Sequence, residues 1–259
     1  MKVVLFCGGQ GLRLREYSEA VPKPMVPIGS RPVLWHVMRY YAHFGHRDFV
    51  LALGYRAEAI KEYFLRYEEA VSNDFVLSHG GDVELLSSDI TDWRITFAGT
   101  GTHANIGQRL LAVRRHVEAE EVFLANYADG VTDAPLDQLV RDFIGRNKVA
   151  ALLAVRPSYG FHVTSVGSDG LVQSVQSVAD AGLRMNGGYF IFRREIFNYI
   201  REGEELVEEP FRRLVAEGQL VGYCHDGFWA PMDTLKERQM LEELSLSGRP
   251  PWAVWQGGA

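Results

Sequence analysis

Along the first 155 residues, short apolar runs alternate with segments of helical periodicity. KVVLF (2–6) and DFVLAL (48–53) are brief, nearly continuous apolar runs, which predicts strands buried on both faces. Between them, RPVLWHVMRYYAHFG (31–45) spaces its apolar residues as one helix face and ends on Gly45, and AEAIKEYFLRY (57–67) reads as the next helix. The alternation continues with WRITFAG (93–99), IGQRLLAVRRHV (106–117), EVFLANYADG (121–130), PLDQLVRDFIGRN (135–147) and VAALLAV (149–155), in the order strand, helix, strand, helix, strand. Such a pattern predicts an α/β fold, with a parallel sheet covered by helices on both faces.

Two stretches break the rhythm. Residues 72–92 are polar and read as an excursion at the sheet edge or an arm to a partner subunit. After residue 155, FHVTSVG and LVQSVQSV flank the turn SDG and are followed by MNGGYFIF, which predicts a small mixed or antiparallel β extension. The chain then offers a helix (VEEPFRRLVAEG), a strand (QLVGYCH) and a last helix opened by TLKE, a capping box from Thr234 to Glu237. With no Pro- or Ser-rich linker, residues 1–259 read as a single domain, a core at 1–155 elaborated by 156–259.

Composition narrows the class. A chain of 259 residues that is 47% hydrophobic and 23% charged can bury a substantial core and carries no low-complexity or repeated segment. Its formal net charge of -6 argues against a general nucleic-acid or anionic-membrane surface, so any anion site must be local. The opening apolar run is too short for a secretory leader, and no stretch approaches the about 18 apolar residues of a membrane span, so the expectation is a cytoplasmic chain. In that compartment Cys7 and Cys224 read as buried free thiols.

Candidate chemistry concentrates in GGQGLRLREYSEAVPKPM (8–25), directly behind the first strand. A glycine-rich turn there lies at the carboxyl edge of the sheet, where backbone amides can approach an anion closely. A dinucleotide fingerprint fails because Leu14 stands where a glycine is required, and a Walker loop fails for want of Gly-Lys followed by Ser or Thr. What remains is a phosphate loop with its own cations, Arg13 and Lys23, the latter held by Pro22 and Pro24 on an extended backbone. Other features carry less. His43 and His46 lack further metal-ligating partners at suitable spacing and read as solvated residues, whereas Phe228 and Trp229 could border a site or act as buried anchors.

GGQGLRL, PKPMVPIGSRPVLWHVM, FVLALGY, IKEYF, NYADGVTD, MNGGYFIF and GFWAPMDTL occur in one order across the whole chain. Together they resemble the nucleotide-sugar pyrophosphorylases, and among these the glucose-1-phosphate cytidylyltransferases. The resemblance implies a Rossmann-like nucleotidyltransferase fold, with a mixed, mostly parallel sheet, and transfer of a nucleotidyl group from an NTP, CTP foremost, to a phosphorylated small-molecule acceptor with release of pyrophosphate. It implies Mg²⁺ held by Asp129 and Asp233, with Arg13 on the triphosphate and Lys23 beside the α-phosphate. It implies nucleotide contacts from Gly8, Gly9, Gly11, Leu12, Gly107, Gln108 and Asp129, and a homo-oligomer.

The resemblance thins on the acceptor side. The family carries Thr where this chain has Leu12, and a Glu-Lys-Pro segment where this chain has SVQSVADAGLR; the family block RFGAL appears as GFHVT. His162 and Arg184 are the nearest replacement bases, beside Asn186 and Gly187. Loss of a cation opposite a phosphate dianion predicts an acceptor other than glucose 1-phosphate, a different phosphate or a phosphonate. Glucose-1-phosphate cytidylyl transfer proper, and a catalytically silent nucleotide-binding subunit, are the competing expectations.

Overall fold

The computed structural model describes residues 1–9, 21–157 and 161–257. Seven strands form the main sheet: β1 (Lys2–Cys7), β2 (Asp48–Leu53), β3 (Arg94–Gly99), β4 (Val122–Asn126), β5 (Ala150–Val155), β6 (Met185–Arg193) and β7 (Leu220–His225). Their spatial order is β7-β5-β6-β4-β1-β2-β3. Every pairing is parallel except the two made by β6, which runs antiparallel between β5 and β4.

Six main helices cover the sheet: α1 (Val33–His43), α2 (Ala57–Leu65), α3 (Ile106–Val117), α4 (Leu136–Arg146), α5 (Glu209–Ala216) and α6 (Leu235–Leu246). Alternate residues of β1 divide the core. Val3, Leu5 and Cys7 pack with Val33, Leu34 and Met38 of α1, and with Val140 and Phe143 of α4. Val4 and Phe6 pack on the other face with Leu110, Val113 and Val117 of α3, and with Phe211 and Leu214 of α5. Both faces are buried, which is why β1 and β2 read as unbroken apolar runs.

Several expectations are corrected. MNGGYFIF is not part of a peripheral extension but the interior strand β6, so the chain beyond residue 155 supplies two strands of the main sheet. Cys7 is buried as expected, whereas Cys224 is exposed, because β7 is an edge strand with one solvated face. Lys23 is not on an extended backbone: residues Lys23–Met25 form one turn of 3-10 helix. Proline tolerates that turn because its fixed φ suits it and its missing N–H falls where no intrahelical partner is needed. The 72–92 excursion contains an exposed hairpin, Phe75–Ser78 with Asp82–Leu85. The expected ribbon after residue 160 is present, His162–Val166 with Val172–Ser177, and it projects into solvent. Among the described residues no helix is long and apolar enough to cross a membrane.

Candidate active site

The carboxyl ends of β1 and β4 open into a cleft of about 250 Å³ lined by Phe6, Gly9, Lys23, Pro24, Ile106, Tyr127 and Asp129. Two distant chain segments meet beneath it. Asp129 follows β4 in a tight turn in which Ala128 adopts φ 62 and donates its N–H to Asn126 Oδ1 at 2.6 Å. The next residues, Gly130–Thr132, pair antiparallel with Trp229–Pro231, and Met232 N–H donates to the Asp129 carbonyl at 2.8 Å. That short ribbon places Asp129 beside Asp233, which lies immediately before the N-cap Thr234 of α6. Glu237 completes the capping box and also accepts the Asp233 N–H at 2.9 Å, which fixes the aspartate backbone.

Lys23 spans the pair. Its Nζ donates to Asp129 Oδ2 at 2.6 Å and to Asp233 Oδ1. The 3-10 turn is closed by Met25 N–H to Pro22 O at 2.8 Å and Val26 N–H to Lys23 O at 3.1 Å, and Pro24 is buried beneath it, so the lysine is delivered by a stiff segment. Burial opposes the Lys23 charge, but the two carboxylates outweigh it and raise the pKa. Burial raises the Asp129 carboxyl above the ordinary range; Lys23 pulls the other way without cancelling the effect. Oxygens from both side chains converge on one point, the donor set of a hard divalent cation that takes its remaining ligands from phosphates and water. Among the described residues no cluster of three or more His, Cys, Asp or Glu side chains forms a metal cage of its own.

Gly8 and Gly9 differ in role. A Cβ on Gly8 would overlap the guanidinium of Arg109, whereas Gly9 faces open space at the cleft. Arg109, 3% exposed, donates to Gly8 O at 3.0 Å, Thr100 Oγ1 at 2.7 Å and Gly101 O at 2.9 Å, and so ties the loops behind β1 and β3 together. Sequence reasoning missed it. Its signal was an arginine on the apolar stripe of α3, in line with the buried Val113 and Val117.

Gly107 and Gln108 occupy the first turn of α3. Gly107 packs against the backbone around Glu204, where a Cβ would clash. Gln108 forms a capping box with Asn105, through Asn105 N–H to Oε1 at 2.9 Å and Gln108 N–H to Asn105 Oδ1 at 2.8 Å. Gly11, Leu12 and Arg13 lie outside the described residues.

At the residues expected to meet the acceptor, Asn186 donates to the hydroxyl of the cleft-lining Tyr127 at 3.2 Å and accepts the Gly188 N–H at 2.9 Å. Trp229 Nε1 donates to Gly187 O at 2.9 Å, and both Phe228 and Trp229 are partly buried against the core. A Cβ at Gly187 would press on Val155 and Trp229. His162 is exposed at the root of the projecting ribbon, opposite Ser177. Arg184 donates to His225 O at 3.0 Å and pairs with Asp226 at 2.7 Å.

The nucleotidyl transferase family model matches residues 2–240. A glucose-1-phosphate cytidylyltransferase of Salmonella typhimurium is 34% identical over 258 residues, covering 99% of this chain and all of that protein. A mannose-1-phosphate guanyltransferase of Saccharomyces cerevisiae is 28% identical over 254 residues, covering 95% of this chain and 64% of that one. The crystal structure of HddC from Yersinia pseudotuberculosis complexed with GMP-PN superposes with a TM-score of 0.67 at 16% identity, covering 93% of this chain and 98% of its own, a likeness of fold.

Proposed function

Because the chain belongs to the nucleotidyl transferase family, we propose that it transfers CMP from CTP to a sugar 1-phosphate and releases pyrophosphate. The observation that carries this reading is the convergence of Lys23, Asp129 and Asp233 at the mouth of the β1–β4 cleft. The base assignment is supported by the 34% identity to the Salmonella cytidylyltransferase.

In the reaction an oxygen of the acceptor phosphate attacks the α-phosphorus of CTP, an O–P bond forms, and the bond to the bridging oxygen breaks. Pyrophosphate leaves with that electron pair. The nucleophile is already an anion, so no general base is needed, and the task of the protein is alignment and charge neutralisation. Gly9 leaves room for the triphosphate to approach the backbone, with Gly8, Gly11, Leu12 and Arg13 assigned to the same loop. Lys23 neutralises charge at the α-phosphate. Gly107 and Gln108 hold the start of α3 against the base, and Asn186 and Gly187 line the wall where the acceptor enters, with His162 and Arg184 beyond. Asp129 and Asp233 would hold Mg²⁺, which when bound supplies positive charge to the phosphate oxygens. A homo-oligomer is part of the same proposal.

Pyrophosphate release from CTP, measured against ATP, GTP and UTP with glucose 1-phosphate and other sugar 1-phosphates, tests the reading. Activity highest with CTP, and reduced at least 100-fold by Lys23→Ala and Asp233→Ala in variants that remain folded, is the expected result. A folded chain that releases no pyrophosphate with any pairing overturns it.

A further inference from the structure

Beyond Asn186 the acceptor wall ends in a cluster that the sequence does not assemble. β5, β6 and β7 meet in one row, Val155 opposite Met185 on one side and His225 on the other. The next residue of each strand in the outward direction is Arg156, Arg184 and Asp226. Asp226 Oδ1 accepts from Arg156 Nε at 2.7 Å and pairs with Arg184 Nη2 at 2.7 Å. Two guanidinium groups thus share a single carboxylate oxygen, and the Asp180 carboxylate also acts on Arg156 from nearby. Among the described residues the Nη groups of Arg156 make no hydrogen bond or ion pair, and the side chain is more than half exposed.

Its position relative to the reacting centre follows from the register. Tyr127, in the cleft wall, hydrogen-bonds to Gly188 on β6. Arg184 lies four residues further along β6 and the segment leading into it, a span of roughly 13 Å at about 3.3 Å per residue. The reacting phosphate must stand at Lys23 and Asp129, so a cluster one sugar length or more away cannot hold that phosphate. On the transferase reading, what it can meet is the opposite end of the acceptor. The intervening wall, Asn186, Gly187 and Trp229, is neutral.

We infer that the Arg156–Arg184 pair recognises a second anionic group, at the end of the acceptor remote from the phosphate that is cytidylylated. The acceptor class is then an acidic sugar 1-phosphate, carrying a carboxylate or a second phosphate, for which planar guanidinium groups are the suited partners. Asp226 holds the two arginines in place and competes with the incoming anion. Ordinary ion pairing at an exposed site is worth little; two arginines already ordered on one carboxylate lose less side-chain freedom when an anion arrives.

This inference rests on the transferase reading, so binding and turnover are measured separately. Calorimetric titration of glucose 1-phosphate, glucuronic acid 1-phosphate and glucose 1,6-bisphosphate into the protein with CTP and Ca²⁺ in place of Mg²⁺ gives affinities, and pyrophosphate release with Mg²⁺ gives kcat/KM. At least tenfold tighter binding of one acidic acceptor than of glucose 1-phosphate is the expected result, and which acid binds separates carboxylate from phosphate. Arg156→Met and Arg184→Met should collapse that ratio to below about threefold. Asp226→Asn should tighten the acidic acceptor, whereas a merely structural clip would weaken every acceptor alike. Equal or tighter binding of glucose 1-phosphate, an unchanged ratio in both arginine variants, or no acceptor binding at all overturns the inference. Acidic preference in binding without pyrophosphate release would leave it standing and overturn the transferase reading instead.

Discussion

His36 shows how much one side chain can record. It is 7% exposed, donates from Nε2 to Ile28 O at 3.0 Å, and accepts at Nδ1 from Trp252 Nε1 at 3.3 Å, so both ring nitrogens are satisfied only in the neutral form. Burial pushes its pKa down to about 4, against an opposing contribution from the Ile28 bond. The folded state therefore resists a proton that the unfolded chain accepts below its ordinary value of 6.5. Stability is unaffected above about pH 7 and falls as pH drops from 6.5 to 4, by roughly 3 kcal/mol in total for this group. Burial depresses His46 in the same direction. Urea unfolding as a function of pH should show this acid slope, and His36→Gln, which keeps a donor toward Ile28 but cannot titrate, should remove about one proton of it. Arg109 makes the same point at the site. Substitution by Met strands the Gly8 and Gly101 carbonyls that it satisfies, and a loss of about 2–4 kcal/mol is expected from denaturant unfolding.

Elements were legible where their period was strong. Residues 106–117 read as a helix and form one with those limits, and β1, β2 and β5 match their apolar runs. The insertion of β6 was not legible, because strand order is set by which apolar faces meet in three dimensions, and MNGGYFIF carries the same local signal in a peripheral ribbon or in the middle of a sheet. Nor was the 3-10 turn at Lys23, since proline fixes its own φ and leaves the turn type to its neighbours. Asp129 and Asp233 were chosen from resemblance; what brings them together is the ribbon Gly130–Thr132 with Trp229–Pro231, too short to read as paired strands. Helix α6 carries that contact one step further. Glu237 accepts from Asp233 N, Thr234 N and Thr234 Oγ1, so the capping box positions a site carboxylate as well as a helix end. Glu237→Ala should cost about 1 kcal/mol in thermal unfolding. It should also raise the Mg²⁺ concentration for half-maximal pyrophosphate release several-fold, an effect absent from an equally destabilising change at the far end of α6.

At the scale of the molecule, the sheet gathers a lysine and two carboxylates at one edge of a chain of net charge -6. Parallel strands β1 and β4 end on the same edge, so Gly9, the Asp129 turn and, through the ribbon, Asp233 come together although these residues are scattered over more than 200 positions. Without nucleotide, Lys23 sits between two carboxylates that would otherwise repel each other. The same carboxylates are the oxygen donors proposed for the metal, so lysine and divalent cation would compete for them. Lys23→Ala is therefore expected to act in opposite directions on two measurements. Turnover should fall at least 100-fold, because the α-phosphate loses its cation. Affinity for Mn²⁺ in the absence of nucleotide, followed by the loss of its free-ion paramagnetic resonance signal, should rise by about threefold to tenfold, because the competitor is gone. Asp129→Asn and Asp233→Asn should weaken that binding. A Lys23→Ala protein that binds Mn²⁺ no better than the parent would show that the metal and the lysine use different oxygens, and that the contact between Lys23 and the two aspartates is structural in the absence of nucleotide.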